Sequence, residues 1–234
     1  MFNYEKRLQY PINITQKNPA AAAFIISQYG GPDGELGASL RYLSQRYTMP
    51  YREVAGLLTD IAVEELSHLE MVSTIVYQLT DGLSPEEIKA AGFDKYFVDH
   101  TLGVYPQAAA GFPYTAASFQ SKGDAITDLY EDMAAEQKAR TTYDNILRMV
   151  KDPDIIDPIR FLRAREIVHF QRFGEALRIA TDRLNEKNFY AINPSYDKVP
   201  GSTMPDFTCP QKQSRPLMPP TGDNMPCCDQ KTMC

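Results

Sequence analysis

The sequence predicts an all-α four-helix bundle with one long crossover, a dinuclear metal site in the core and an extended C-terminal tail. Three observations predict it. Apolar residues recur at alternating steps of three and four through most of the chain between Asn18 and about Lys187, the period of helices with one buried face. Two of the connections between the long helical segments are short, whereas one runs from residue 81 to residue 122. Glutamate and histidine interrupt the apolar seams at mid-helix, where an unpaired charge would be costly.

In order along the chain, a first helix spans Pro19 to Tyr29, with Asn18 as N-cap, Pro19 in the first turn and Gly30 and Gly31 as the stop. A second begins near Pro32, Asp33 and Gly34 and runs to about Thr48. Its apolar stripe is Leu36, Leu40, Leu43 and Tyr47, with Glu35 and Tyr42 one residue to the side. The third, from about Tyr51 to Leu79, carries the clearest seam: Val54, Leu58, Ile61, Glu65, His68, Val72, Ile75 and Leu79. Residues 81–122 break the periodicity with glycine, proline and aromatic residues, and a connection of that length usually has a purpose.

A fourth helix, about Asp124 to Val150, repeats the seam as Ile126, Leu129, Met133, Glu136, Arg140, Tyr143, Leu147 and Val150. The fifth follows Asp152 and Pro153 and runs to about Glu186, with Ile155, Ile159, Leu162, Glu166, His169, Phe173 and Ala180 in its seam. Short connections near residues 48–51 and 150–153 make two antiparallel hairpins, and the long segment joins them. That is ferritin-like connectivity. Residues 1–187 therefore read as one domain and residues 188–234, rich in Pro, Tyr, Lys and Cys, as a tail without its own core.

Composition excludes several functions. The 234-residue chain has a formal charge of −6 and lacks the basic footprint expected for nucleic acid or an anionic membrane. No apolar run approaches the roughly 18 residues of a membrane span, and Met1 to Arg7 lacks the apolar stretch of a secretory signal. Synthesis in the cytoplasm is expected. All four cysteines (Cys209, Cys227, Cys228 and Cys234) fall in the tail without zinc-like spacing, so the core is expected to stand without disulfides.

The buried polar residues point to the chemistry. In each Glu-x-x-His pair, Glu65/His68 and Glu166/His169, the two side chains project from one helix face about a turn apart. An isolated pair is ordinarily a surface turn or a satisfied core histidine. Two pairs at matched places in separate seams, with Glu35 and Glu136 as single carboxylates, form the ligand set of a carboxylate-bridged dinuclear bundle. Oxygen donors with imidazole suit manganese or iron, and spacing does not choose between them. Glu64, Glu70, Glu131 and Asp132 lie off the seams and read as solvated or ion-paired surface groups, and His100 reads as an ordinary loop histidine. Tyr42 either hydrogen-bonds a ligand carboxylate or simply packs; Arg140 either balances buried charge or makes an exposed salt bridge.

Three segments, Gln28–Tyr47, Glu64–Met71 and Ala164–Phe170, resemble the signatures of the manganese catalases, and within them the bacterial spore-coat branch. The similarity extends through about residue 190. The resemblance implies two Mn ions per subunit and disproportionation of hydrogen peroxide to water and dioxygen. It also implies unequal roles: Glu65 bridges the ions, Glu35 and His68 complete one, Glu136 and His169 the other, Glu166 carries protons from just outside the ligand set, and Tyr42 orients a ligand. It further implies a homo-oligomer, a hexamer, and a place in the spore coat among other coat proteins. The tail departs from the family's longer C-terminal region. A structural coat protein with disulfide-forming cysteines and a di-iron ferritin-like oxidase are the competing readings.

Overall fold

The computed structural model describes residues 4–96, 103–184 and Asn193. The cysteines, His100, the end of the last expected helix and the remainder of the expected tail lie outside the described residues.

Seven α-helices are described: α1 Pro19–Ile25, α2 Ser27–Gly30, α3 Glu35–Gln45, α4 Arg52–Thr80, α5 Pro85–Ala90, α6 Ala125–Met149 and α7 Pro153–Leu184. The four longest form the bundle. α3 lies on α4 and α6 on α7, as the short connections require, while α4 against α7 and α3 against α6 join the two hairpins. Among the described residues there is no strand, only an isolated bridge between Gln107 and Pro113. No described helix is long and apolar enough to cross a membrane.

The Asn18 cap behaves as the sequence predicts, and α6 is capped in the same way. Asn18 accepts from the Ala21 amide at 2.9 Å and opens α1, and Asp124 accepts from the Thr127 amide at 2.8 Å and opens α6. The expected first helix is divided at Ile26 into α1 and α2. The crossover carries more structure than its irregular pattern suggests. Ser84 and Glu87 close a reciprocal capping box that starts α5, and short 3-10 turns follow at Asp94–Tyr96 and Ala116–Phe119. This segment returns across Gly30, where a Cβ would stand 2.1 Å from the Pro106 carbonyl carbon, so the close approach admits only glycine.

The seams of α4 and α7 are buried along their whole length. In α3 the expected face is corrected. Leu40 and Tyr47 are 38% and 76% exposed, whereas Glu35, Ser39, Arg41, Tyr42 and Gln45 face inward. The leucine stripe lost because the inner face of α3 adjoins the polar centre of the bundle, where buried polar side chains find their hydrogen-bond partners. The hydrophobic core is correspondingly divided. One cluster gathers Met71, Val72 and Ile75 with Ile155, Ile159 and Leu162. The other gathers Leu58, Ile61 and Ala62 with Leu129, Phe173 and Ala176. Between these two sets, at the same level of α4 and α7, stand Glu65, His68, Glu166 and His169.

Candidate metal centre

All six expected donors are buried: Glu35, Glu65, His68, Glu136, Glu166 and His169 are each at most 2% exposed. Glu35 opens α3 and Glu136 lies mid-α6, so the single carboxylates come from one helix of each hairpin and the Glu-x-x-His pairs from the other. The arrangement repeats: Glu35, Tyr42, Glu65 and His68 recur at one constant spacing as Glu136, Tyr143, Glu166 and His169.

Glu65 sits at the middle. Its Oε2 lies 2.7 Å from His68 Nδ1 and its Oε1 lies 2.6 Å from His169 Nδ1. Glu35 Oε2 approaches His68 Nδ1 at 3.8 Å, and Glu136 Oε2 approaches His169 Nδ1 at 3.6 Å. The donors thus fall into two groups that share Glu65. The imidazoles are stacked, with ring centroids 5.5 Å apart.

The donor set fits metal ions. Donor atoms of Glu65, His68, Glu166 and His169 all lie within 4.8 Å of one another. Glu65 Oε1, His169 Nδ1, Glu136 Oε2 and Glu166 Oε1 are buried without a hydrogen-bond partner. Glu65 Oε1 and His169 Nδ1 converge although no hydrogen bond of sound geometry joins them. Buried lone pairs of this kind cost several kcal/mol, about 1–3 apiece for neutral groups and more for charged ones, unless a cation answers them.

Proton affinities follow from the crowding. Burial, with the Glu65 charge beside it, pushes Glu35 up to about 8. Burial and the charges of Glu35, Glu65 and Glu136 hold Glu166 well above the usual carboxylate range. Burial acts upward on Glu65 as well, but the two histidines outweigh it and keep its carboxyl below the usual range. Burial lowers both histidines, yet Glu65 and its neighbours prevail and push His169 up to about 12 and His68 well above its ordinary value.

Two tyrosines tie the hairpins together at the carboxylates. Tyr42 on α3 donates to Glu136 Oε1 on α6, and Tyr143 on α6 donates to Glu35 Oε1 on α3. The hydrogen-bonding alternative for Tyr42 is the one observed. Tyr143 was readable only as a seam residue, although it follows Glu136 at the distance Tyr42 follows Glu35. Arg140 makes the ion-pair alternative, donating to Asp144 at 2.7 Å.

The off-seam acids are corrected in part. Glu70 accepts from Tyr4 and Glu131 from Lys138, as expected of surface groups. Asp132 is fully buried, with neither carboxylate oxygen hydrogen-bonded, and burial pushes its carboxyl up. Its signal in the sequence is the series Asp128, Asp132 and Glu136 at steps of four, a second inward stripe on α6. Glu64 is ion-paired to Arg165, but its side chain is only 16% exposed and it reaches both histidines. Arg41, which no sequence pattern marks, is 1% exposed; it donates to the Ser118 carbonyl and lines a crevice with Ala38, Ala135, Ala139 and Glu166. That crevice, bordered by Glu35 and Glu136, has a volume of about 10 Å3, room for roughly one water-sized molecule.

Comparison with known proteins identifies a family. The model of the family described as manganese containing catalase matches residues 1–195. The chain is 51% identical over 190 residues to Protein CotJC of Bacillus subtilis (strain 168), a match that covers 81% of this chain and 100% of that one. It is 30% identical over 225 residues to a probable manganese catalase of Clostridium acetobutylicum, covering 91% of this chain and 100% of the other. Among solved structures, wild-type KatB, a manganese catalase from Anabaena, aligns with a TM-score of 0.71 at 31% identity, over 88% of this chain and 87% of KatB.

Proposed function

The chain belongs to the manganese-containing catalase family, and from that premise we propose that it disproportionates hydrogen peroxide to water and dioxygen at a dimanganese centre. The observation that carries the reading is the buried donor cluster around Glu65, whose two oxygens face His68 and His169, while Glu65 Oε1, His169 Nδ1, Glu136 Oε2 and Glu166 Oε1 lack hydrogen-bond partners. Glu65 would bridge two ions, with Glu35 and His68 completing one and Glu136 and His169 the other. Two manganese ions held by this set would supply a two-electron redox couple, the chemistry that oxidation of one peroxide to dioxygen and reduction of a second to water requires.

The chain's own residues would handle access and protons. The crevice beside Glu166, with room for roughly one water-sized molecule, would admit only a small substrate and exclude larger oxidants. Glu166 holds a proton readily because burial and three neighbouring carboxylates oppose its ionisation. It stands where it can accept the proton an arriving peroxide releases and return it as water leaves. Tyr42 and Tyr143 hold Glu136 and Glu35 in orientation.

Purified protein should bind about two Mn per chain and evolve oxygen from peroxide; a fully loaded sample without oxygen release rejects the reading. The shared ligand chemistry makes iron the alternative metal, so expression with both metals supplied, followed by metal analysis and an oxygen-electrode assay, decides between a catalase and a di-iron oxidase.

The place of action we assign is the spore coat, supported by the resemblance to the spore-coat branch and by 51% identity over the whole length of CotJC. Homo-oligomerisation is supported by the exposed apolar side chains Leu40 on α3 and Tyr47 just beyond its end. Coat extracts run on reducing and nonreducing gels test whether the protein also serves assembly through tail disulfides.

A further inference from the structure

We infer that Glu64 is a single outer clamp for both histidines, so that one carboxylate fixes the imidazoles of both halves of the metal centre. The inference rests on the dimanganese reading above and adds a positioning residue to it.

Both imidazoles point Nδ1 inward, to the two oxygens of Glu65 at 2.7 and 2.6 Å. Their Nε2 atoms point the other way, toward Glu64. Glu64 Oε2 lies 3.1 Å from His169 Nε2, and Glu64 Oε1 lies 3.6 Å from His68 Nε2. His68 Nε2 is buried and has no hydrogen-bond partner, with the Glu64 oxygen facing it. Consecutive residues of α4 therefore enclose the histidine pair, Glu65 from inside and Glu64 from outside, each offering one oxygen per ring.

Glu64 is itself held from two sides. Arg165 on α7 donates to it twice, from Nε at 2.6 Å and from Nη2 at 3.1 Å, and Gln9 donates from the N-terminal segment at 2.8 Å. The planar guanidinium fixes the carboxylate plane as a single ammonium would not. A metal-bound imidazole carries its remaining hydrogen on the outer nitrogen, and an acceptor there sets the ring's orientation and raises its donor strength. Because one carboxylate serves both rings, any change in its charge acts on both halves at once.

Glu64→Gln tests this in the full-length protein loaded with Mn. Glutamine keeps the size of the side chain but has one acceptor oxygen, so it can serve one imidazole while presenting its amide hydrogens to the other. Release of Mn to a chelator should accelerate by about 10- to 100-fold and become biphasic, and the paramagnetic resonance spectrum of the Mn(II) pair should change. Arg165→Met, which leaves Glu64 in place but unpinned, should accelerate release of both ions in parallel by a smaller factor. Circular dichroism of the metal-free variants establishes that each still folds; if Glu64→Gln does not, Arg165→Met decides alone.

Release within twofold of the parent for every folded variant overturns the clamp. Acceleration at one ion with the other unchanged in both variants overturns it too, since that would make Glu64 a partner of one histidine. Neither readout depends on oxygen evolution. A protein that binds Mn but leaves peroxide untouched would sink the proposed function while leaving the clamp testable.

Discussion

Replacing Tyr143 by Phe should weaken manganese binding while leaving the metal-free protein nearly intact. Tyr143 and Glu35 are both buried, and the phenol donates to Glu35 Oε1 while Oε2 faces His68. Phenylalanine preserves the ring and its packing, so no large cavity term arises. The loss is a hydrogen bond to a charged group, worth about 1.5–3 kcal/mol, which corresponds to roughly 10- to 150-fold in affinity at 1.4 kcal/mol per factor of ten. It should fall mainly on the loaded state. Without metal, Glu35 is held up to about 8 and is largely protonated at neutral pH, so its bond to the phenol lacks full charge assistance. With metal it must be ionised. Competitive chelator titration at pH 7 measures the affinity, and thermal melts of the metal-free protein measure the fold. An unchanged Mn affinity together with a melting point lowered by many degrees would refute the reasoning, because it would make Tyr143 a packing residue.

Glu65→Ala or His169→Ala should abolish paired metal binding, seen as loss of both Mn in elemental analysis, whereas Glu166→Ala should keep most of the metal and slow turnover; stoichiometric loss of one ion would place Glu166 among the ligands. Metal loading should tighten as pH rises from about 6.5 to 8, because Glu35, held up to about 8, and His169, held up to about 12, bind protons that a metal must displace. Glu35's share of that rise ends above about 8, and proton release on loading, followed in weakly buffered solution, should shrink accordingly. The same raised values make the metal-free fold lose stability with rising pH across this window, since the folded state binds more protons than the unfolded one. Gly30→Ala should destabilise the protein by several kcal/mol, about the 1–3 of an overpacked site or more, because its Cβ would meet backbone at 2.1 Å; an unchanged melting point would show that the crossover yields.

Much of the fold is legible in the sequence because the bundle follows from periodicity and loop length. The buried seams of α4 and α7 are read correctly residue by residue, since their inner faces are apolar on either side of one Glu-x-x-His pair and nothing competes. α3 is read less well for the opposite reason. Its inner face is mostly polar, so hydrophobicity points to Leu40 and Tyr47, which lie outward. A helix that serves a polar centre reverses the rule that apolar residues face the core.

The sequence by itself determined which acidic and imidazole side chains interrupt the apolar seams and on which helices they ride. Spacing along a single helix is a local property, written wherever glutamate and histidine stand three apart. Only the tertiary structure decided the partners across helices: Tyr42 on Glu136, Tyr143 on Glu35, Glu65 between the two histidines, and Glu64 behind them. Those contacts depend on how far two helices approach and how they are turned about their axes. That is settled by the packing of all four at once, with the polar layer held between two apolar clusters.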